Sequence, residues 1–349
     1  MSDHSNPCFT VREAEADDAA RIDAFVRAHP AGTPFHLSGW GRAITRACGH
    51  KAHVLIAEDG DAALVGILPL TEIRHFLFGK ALAASGFAVG GGLLAQSALA
   101  EKQLTDAAIA LAGRCGIDSI ELRGGPLPDA WHVDGSTYLG FSRELAGDDE
   151  AELLAIPRKQ RAEVRKALGF DLQVETGSAK ADRDAHFEVY AESVRNLGTP
   201  VFPKKLFAAV LDEFGDEADI LTIRHQGRAI ASVLSLYWNG SVMPYWGGGT
   251  ADARSWRAND LMYYALMCHA RANKGAKRFD FGRSKVGTGP AAFKKNWGFE
   301  GLPLAYAKYG AVRDINPLSP KYRLQIAVWQ KLPLWLANRA GPILARGLG

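Results

Sequence analysis

Apolar and polar positions change period along this chain every ten to twenty residues, which marks alternating strands and helices. Residues 9–12 predict a short first strand. Residues 16–29 predict a helix with Asp17 and Asp18 near its positive end. A second helix is expected over 38–48, with Ser38 as its cap and Gly49 as its stop. HVLIAE (53–58), Asp59-Gly60 and ALVGILPLT (63–71) together read as a hairpin. A glycine-rich segment, FAVGGGLL (87–94), precedes a helix over 99–115 and a strand over 119–122.

The same order then returns. Helices are predicted over 185–196 and 203–214. Strands are predicted over 218–225 and 229–238, joined at Gln226-Gly227. A third strand follows Asn239-Gly240 and spans 241–246. A helix over 259–272 and a strand over 277–281 complete the unit. Two copies of one helix–helix–strand–strand–strand–helix–strand order, each ~150 residues long, predict tandem α/β domains of one fold. The acidic stretch 145–156 is taken as the boundary. The expected organisation is 1–150, 151–312 and a basic helical tail, 313–349, which Pro333 and Pro342 are expected to break into short pieces. After Asp314 the tail has no acidic residue and carries Lys321, Arg323, Lys331, Arg339 and Arg346.

Composition narrows the class. Hydrophobic residues at 47% suit a globular core, and a net charge of +3 gives no bulk attraction to nucleic acid. Four cysteines without a C-x-x-C pair suggest reduced thiols. The polar, acidic N-terminus lacks the pattern of a signal peptide. A cytoplasmic protein is therefore expected, with peripheral contact at an inner membrane surface an option through the tail's Trp329, Leu332, Leu334, Trp335 and Leu336. Packing of the tail on the second domain is the competing reading.

Candidate chemistry concentrates between Lys277 and Trp297, where six basic residues surround one acid, Asp280. Arg283, Lys285, Lys294 and Lys295 flank Gly287-Thr288-Gly289-Pro290, a turn whose backbone N–H groups suit an anion. Asp280 ends a predicted strand, where it can orient a cation or take a proton. A structural ion pair to Arg278 or Arg283 fits equally. Arg158, Arg161 and Arg165 share one face of a basic helix, which suits a phosphate ligand or a solvated surface. Trp40 is a candidate for an acceptor pocket or for the core. His50 and His53 have H-x-x-H spacing but no third ligand nearby in sequence, so no metal is expected.

Three segments carry a family resemblance: residues 49–92, PRKQRAEVRKAL (157–168) and GAKRFDFGRSKVGTGPAAFKKNWGFEGLPL (275–304). They resemble the FemAB family of aminoacyl and acyl transferases. The third segment and the tail are closest in wording to the branch found with exopolysaccharide and protein-sorting (PEP-CTERM) genes. The resemblance implies two GNAT-like domains and transfer of an acyl or aminoacyl group to an amine on a phosphate-bearing or sugar-linked acceptor in cell-envelope, peptidoglycan or exopolysaccharide synthesis. It implies no permanently bound cofactor. The donor would be acyl-CoA, an acyl carrier protein or aminoacyl-tRNA, and the acceptor would be nucleotide- or lipid-linked. Lys294 matches the family lysine of the F-K motif, expected to stabilise developing negative charge or to hold a donor's phosphate. Tyr245 and Trp246 fall where a GNAT strand splays to admit the donor. Asn259 begins the helix that follows, expected to cap it or to offer its N-terminus to an anion. The preceding loop, 254–259, lacks the glycines usual there. That departure favours a competing expectation, a non-catalytic scaffold protein.

Overall fold

Strand β1 (Thr10–Glu13), helices α1 (Ala19–Ala28) and α2 (Ser38–Cys48), and strands β2 (Lys51–Glu58), β3 (Leu64–His75) and β4 (Gly79–Ala84) follow in the order the hydrophobic pattern predicts, with β4 added. Short β5 (Leu94–Ala95), helix α3 (Ala98–Cys115) and β6 (Ser119–Arg123) complete this first unit. In this computed structural model, which describes residues 9–311 and 323–349, the chain forms two compact units. One comprises residues 9–135, 305–311 and 346–349, and the other comprises 136–304 and 323–345.

In the first unit β1, β2, β3 and β4 are antiparallel neighbours. Strand β4 then meets β6 in parallel through two residue pairs, Leu82–Ile120 and Ala83–Glu121. A parallel pair needs a crossover, and α3 supplies it. Ser97 caps α3 by accepting from Ala100 N–H at 3.2 Å, and Gly116 at φ +62° ends it. Leu104, Ala108 and Leu111 of α3 are buried with Leu55, Leu68, Leu82 and Ile120 of the sheet. Helix α2 spans the predicted residues, but its cap differs. Leu37 occupies that position, and the Ser38 amide donates to Asp23.

Strand β7 (His132–Glu144) leads into the second unit, whose further elements are α4 (Asp149–Ala155), α5 (Arg158–Leu168), β8 (Leu172–Gly177), α6 (Lys180–Asn196), α7 (Lys204–Phe214), β9 (Ala218–His225), β10 (Arg228–Trp238), β11 (Ser241–Gly249), α8 (Ala258–Lys274), β12 (Arg278–Lys285), α9 (Gly289–Asn296), the first residues of β13 (Gly301–Gly310), α10 (Arg323–Lys331) and α11 (Leu334–Ala345). The antiparallel run is β8-β9-β10-β11, followed by a parallel β11–β12 contact and antiparallel β12–β7. The topology of β2-β3-β4-α3-β6 is thus repeated by β9-β10-β11-α8-β12. The fold is mixed α/β in both copies.

The sequence segments 1–150, 151–312 and 313–349 do not coincide with the compact units. The acidic stretch read as a boundary is α4, where Glu152 is fully buried, pairs with Arg143 and accepts from the Ala146 amide at 2.8 Å. Residues 306–310 of β13 pair with β6 of the first unit. Helices α10 and α11 belong to the second unit and residues 346–349 to the first. Pro333 separates the two tail helices as expected, but Pro342 lies inside α11. Lys321 lies outside the described residues. No described helix is long and apolar enough to cross a membrane.

Candidate active site

Strands β11 and β12 pair only at Ser241–Arg278 and Val242–Phe279. Beyond these two rungs they diverge, for a local reason on each side. In β11 the register against β10 jumps from Leu234–Trp246 to Ser235–Pro244, which leaves Tyr245 as an extra, bulged residue. In β12 the register against β7 shifts between Asp280 and Arg283, with Gly282 at φ +67°. A bulge bends its strand and increases twist. Two bulges just past the last shared rung open a gap between Met243–Gly249 and Asp280–Lys285.

Asp280 is the first residue of β12 beyond that rung. Its Oδ1 accepts from the Gly282 amide at 2.9 Å, and burial pushes its carboxyl above the usual carboxylate range. Lys294 comes from α9. Thr288 is the α9 cap residue, its hydroxyl donates to Lys285 O at 2.7 Å, and Pro290 sits in the first turn. This places the Lys294 ammonium within 2.9 Å of Arg283 O, to which it donates, and 5.4 and 5.3 Å from the ring centres of Phe141 and Phe281. Burial, reinforced by Arg283 and opposed by Asp280, brings its pKa down to about 8. Lys294, Asp280 and Arg283 therefore share one electrostatic environment. Arg283 and Lys285 both pack on Tyr138 of β7, at 4.6 and 5.6 Å from its centre. Lys295 is exposed on α9, away from this cluster.

Other candidates are placed differently. Trp40, a candidate for an acceptor pocket or for the core, is 1% exposed, donates its indole N–H to Gly86 O and packs edge-on to Phe35; it is a core residue of the first unit. Trp246 is likewise buried, against Phe207 of α7 and Phe202, while Tyr245 remains half-buried at the bulge. Helix α5 turns Gln160, Val164 and Ala167 inward and leaves Arg158 and Arg165 exposed; Arg161 donates to Leu154 O. Arg158 and Arg165 thus lie on the solvated side of α5. Asn259 does not cap α8. Arg257, in the left-handed region at φ +53°, occupies that position, and Asn259 Oδ1 is buried without a partner beside Gly249.

Tyr263 was not foreseen. Its ring packs on Phe281 of β12 at 4.7 Å, and its hydroxyl is 3.5 Å from where a Cβ on Gly247 of β11 would stand. It thus spans the gap, and burial pushes its phenol up to about 12, so it stays an O–H donor. Position 263 on a helix heptad reads as core in sequence, and nothing there announces a hydroxyl at the strand edges. Tyr138 and Phe141 escaped for another reason. Strand β7 interleaves Gly135, Ser136, Thr137 and Gly140 among polar residues and shows no clean alternation.

The first unit contains the matching divergence after Ala83–Glu121, and its own chain fills that region. The Ser85 hydroxyl lies within bonding distance of both Phe35 O and Gly91 O, Gly86 N–H donates to Thr71, Arg123 donates to Ala88 O, and Tyr306 donates to Val89 O.

Residues 157–295 match the acetyltransferase (GNAT) domain family. No curated protein matches the sequence. Among solved structures, FemX superposes with a TM-score of 0.66 at 15% identity, over 90% of this chain and 99% of that one. A tandem GNAT protein from the clavulanic acid biosynthesis pathway gives 0.52 at 13% identity, over 87% and 99%. Saccharomyces cerevisiae N-myristoyltransferase, solved with bound myristoyl-CoA, gives 0.51 at 15%, over 88% and 82%. These likenesses establish the GNAT-like fold. The domain match supports acyl transfer as the activity, with acyl-CoA as donor and no permanent cofactor.

Proposed function

We propose that the chain is an N-acyltransferase whose reacting groups lie in the second unit, along the gap between β11 and β12. The observation that carries this is the end of strand pairing at Val242–Phe279, with Asp280, Lys294 and Arg283 gathered directly beyond it. Two strand edges that stop pairing leave backbone N–H and C=O groups free to bind an extended amide-bearing arm such as pantetheine. The acceptor amine attacks the thioester carbonyl, the carbonyl oxygen becomes an oxyanion, and collapse expels the CoA thiolate. The Lys294 ammonium supplies charge to the oxyanion from a low-dielectric setting, where it counts for more than in water. Asp280, with its raised pKa, takes the proton the amine loses. Arg283 and Lys285, braced on Tyr138, hold the acceptor's phosphate.

The acceptor class, a phosphate-bearing or sugar-linked amine in envelope or exopolysaccharide synthesis, rests on the FemAB resemblance and the likeness to FemX. The second unit, which includes Tyr138 and Phe141, is taken as the reacting half and the first as the supporting half. Nothing in the geometry or the comparisons supports a carrier protein or aminoacyl-tRNA as donor. A scaffold role is the second reading, favoured by the α8 entry loop, which has no glycine in 254–259 and turns through Arg257.

The test is turnover of an acyl-CoA panel against amino sugars and their nucleotide conjugates. Lys294→Ala is expected to keep the fold and lower kcat at least tenfold, the scale of a lost charge-stabilising group. Undiminished turnover removes Lys294 from the mechanism. Binding of acyl-CoA without turnover by the unaltered protein favours the scaffold.

A further inference from the structure

We propose that His53, Glu72 and Cys115 of the first unit form a binding site for a divalent transition-metal ion of the zinc class. The three residues come from β2, β3 and the last turn of α3, and one ligand atom from each lies within 4.8 Å of the others. Tetrahedral ligands at about 2.0–2.3 Å from zinc stand roughly 3.3–3.8 Å from one another, so closure requires shifts of about 1 Å.

The convergence of an imidazole, a carboxylate and a thiol on one point is what points to a cation, and the bonding around His53 suits it. Its imidazole is 1% exposed, with Nδ1 2.5 Å from Glu13 Oε1 and Nε2 3.1 Å from Glu72 Oε2. A neutral imidazole has one N–H, so it satisfies one carboxylate and turns a lone pair toward the other. With N–H on Nδ1, Glu13 has its donor, and Nε2 turns its lone pair toward Glu72, whose carboxylate is also hydrogen-bonded by the Cys115 thiol. A second proton on the imidazole or a metal ion at Nε2 would each satisfy both carboxylates, and only the metal also takes the Cys115 sulfur as a partner. It also reproduces the carboxylate–histidine–metal arrangement by which an outer carboxylate fixes the ligating tautomer.

The surroundings fit that role. Arg74 pairs with the other oxygen of Glu72 and donates to the Cys115 carbonyl at 2.6 Å, so one guanidinium positions two of the three ligands. Histidine, carboxylate and thiol together match zinc's preference for N, O and S donors, and three protein ligands leave a fourth position for water. Binding would deprotonate the thiol and release that proton to solvent. The H-x-x-H spacing is not the source of the site, because His50 is spent on Arg346 O at 2.7 Å.

The full-length protein, stripped with chelator, would be titrated with Co²⁺ and followed by absorption. Visible tetrahedral bands with a thiolate-to-cobalt charge-transfer band, bleached by Zn²⁺, are expected. Cys115→Ser should abolish the charge-transfer band, and Glu13→Gln should weaken Co²⁺ affinity roughly tenfold or more. Cys268→Ser, in the other unit, should leave the spectrum unchanged. Zn²⁺ should raise the Tm of the unaltered protein and not that of Cys115→Ser. A cobalt spectrum without thiolate character, an identical spectrum in Cys115→Ser, or an unmoved Tm overturns the proposal and leaves His53 as a doubly protonated bridge between two carboxylates.

Discussion

At the scale of single residues, Lys294 decides most. Its ammonium is drawn against Phe141 and Phe281, and its pKa falls to about 8 from the ordinary 10.5. Because the folded value lies below the unfolded one, the folded chain binds fewer protons than the unfolded chain between pH ~8 and ~10.5. This group's contribution to stability therefore grows as pH rises through that window, and below it the buried charge costs up to roughly 3 kcal/mol. Lys294→Met is expected to raise Tm at pH 7, flatten the stability profile above pH 8 and lower turnover. Thermal melts across pH 7–10 check this; a lower Tm at pH 7 would mean that the lysine is anchored by contacts that outweigh its desolvation. The sequence places this lysine within a conspicuous basic cluster. It does not show that Lys294 and Arg283 converge while Lys295 turns outward, because that follows from the α9 start at Gly289 and its one-residue differences in facing.

Elements were legible where amphipathic period was strong. The hairpins 51–75 and 218–238, and the helices α2, α3, α7 and α8, follow their hydrophobic stripes closely. Strands β4, β7, β8 and β13 were not, since glycine and polar residues interrupt their alternation and their pairing comes from partners far away in sequence. The bulges at Tyr245 and at Phe281–Gly282, which open the gap, depend on registers that no local pattern specifies. The glycine-rich segment 87–94 resolves into a close-approach requirement. A Cβ on Gly92 would stand 1.9 Å from Gly124 O, against backbone that cannot swing aside. Gly92→Ala is expected to cost at least about 2 kcal/mol in a denaturant titration. Gly113, exposed in α3 with open space where a Cβ would go, is the contrast; Gly113→Ala should gain roughly 0.5–1 kcal/mol. Equal effects at the two positions would refute the packing account of the segment.

For the molecule as a whole, duplication was legible and division of labour was not. The two copies of the fold share a topology down to a two-rung parallel contact; the first fills its divergence with its own loop, and the second sets Tyr263 of α8 beside its own. The tail is also integral. Ile326 packs where Gly198 leaves room, Gly341 lies against Val201, and Arg195 donates to Gln330 O at 3.0 Å. Truncation at Ile315 would strip these contacts, so membrane contact is better tested by surface changes. Trp335 is 70% exposed and Lys331 and Arg339 are exposed with it. We expect vesicles containing phosphatidylglycerol to co-sediment the unaltered protein and to lose a variant with Trp335→Ala, Lys331→Glu and Arg339→Glu. Equal sedimentation of the two would end the membrane assignment.

The central claim is that the donor enters between β11 and β12. A crystal structure with a non-hydrolysable acyl-CoA thioether tests it most directly. The account expects the pantetheine arm along Met243–Gly249, paired with the free edge of the strand, and the acyl end beside Asp280 and Lys294. An analogue bound instead within the first unit, or no bound analogue at a concentration that saturates a thermal shift, would contradict it.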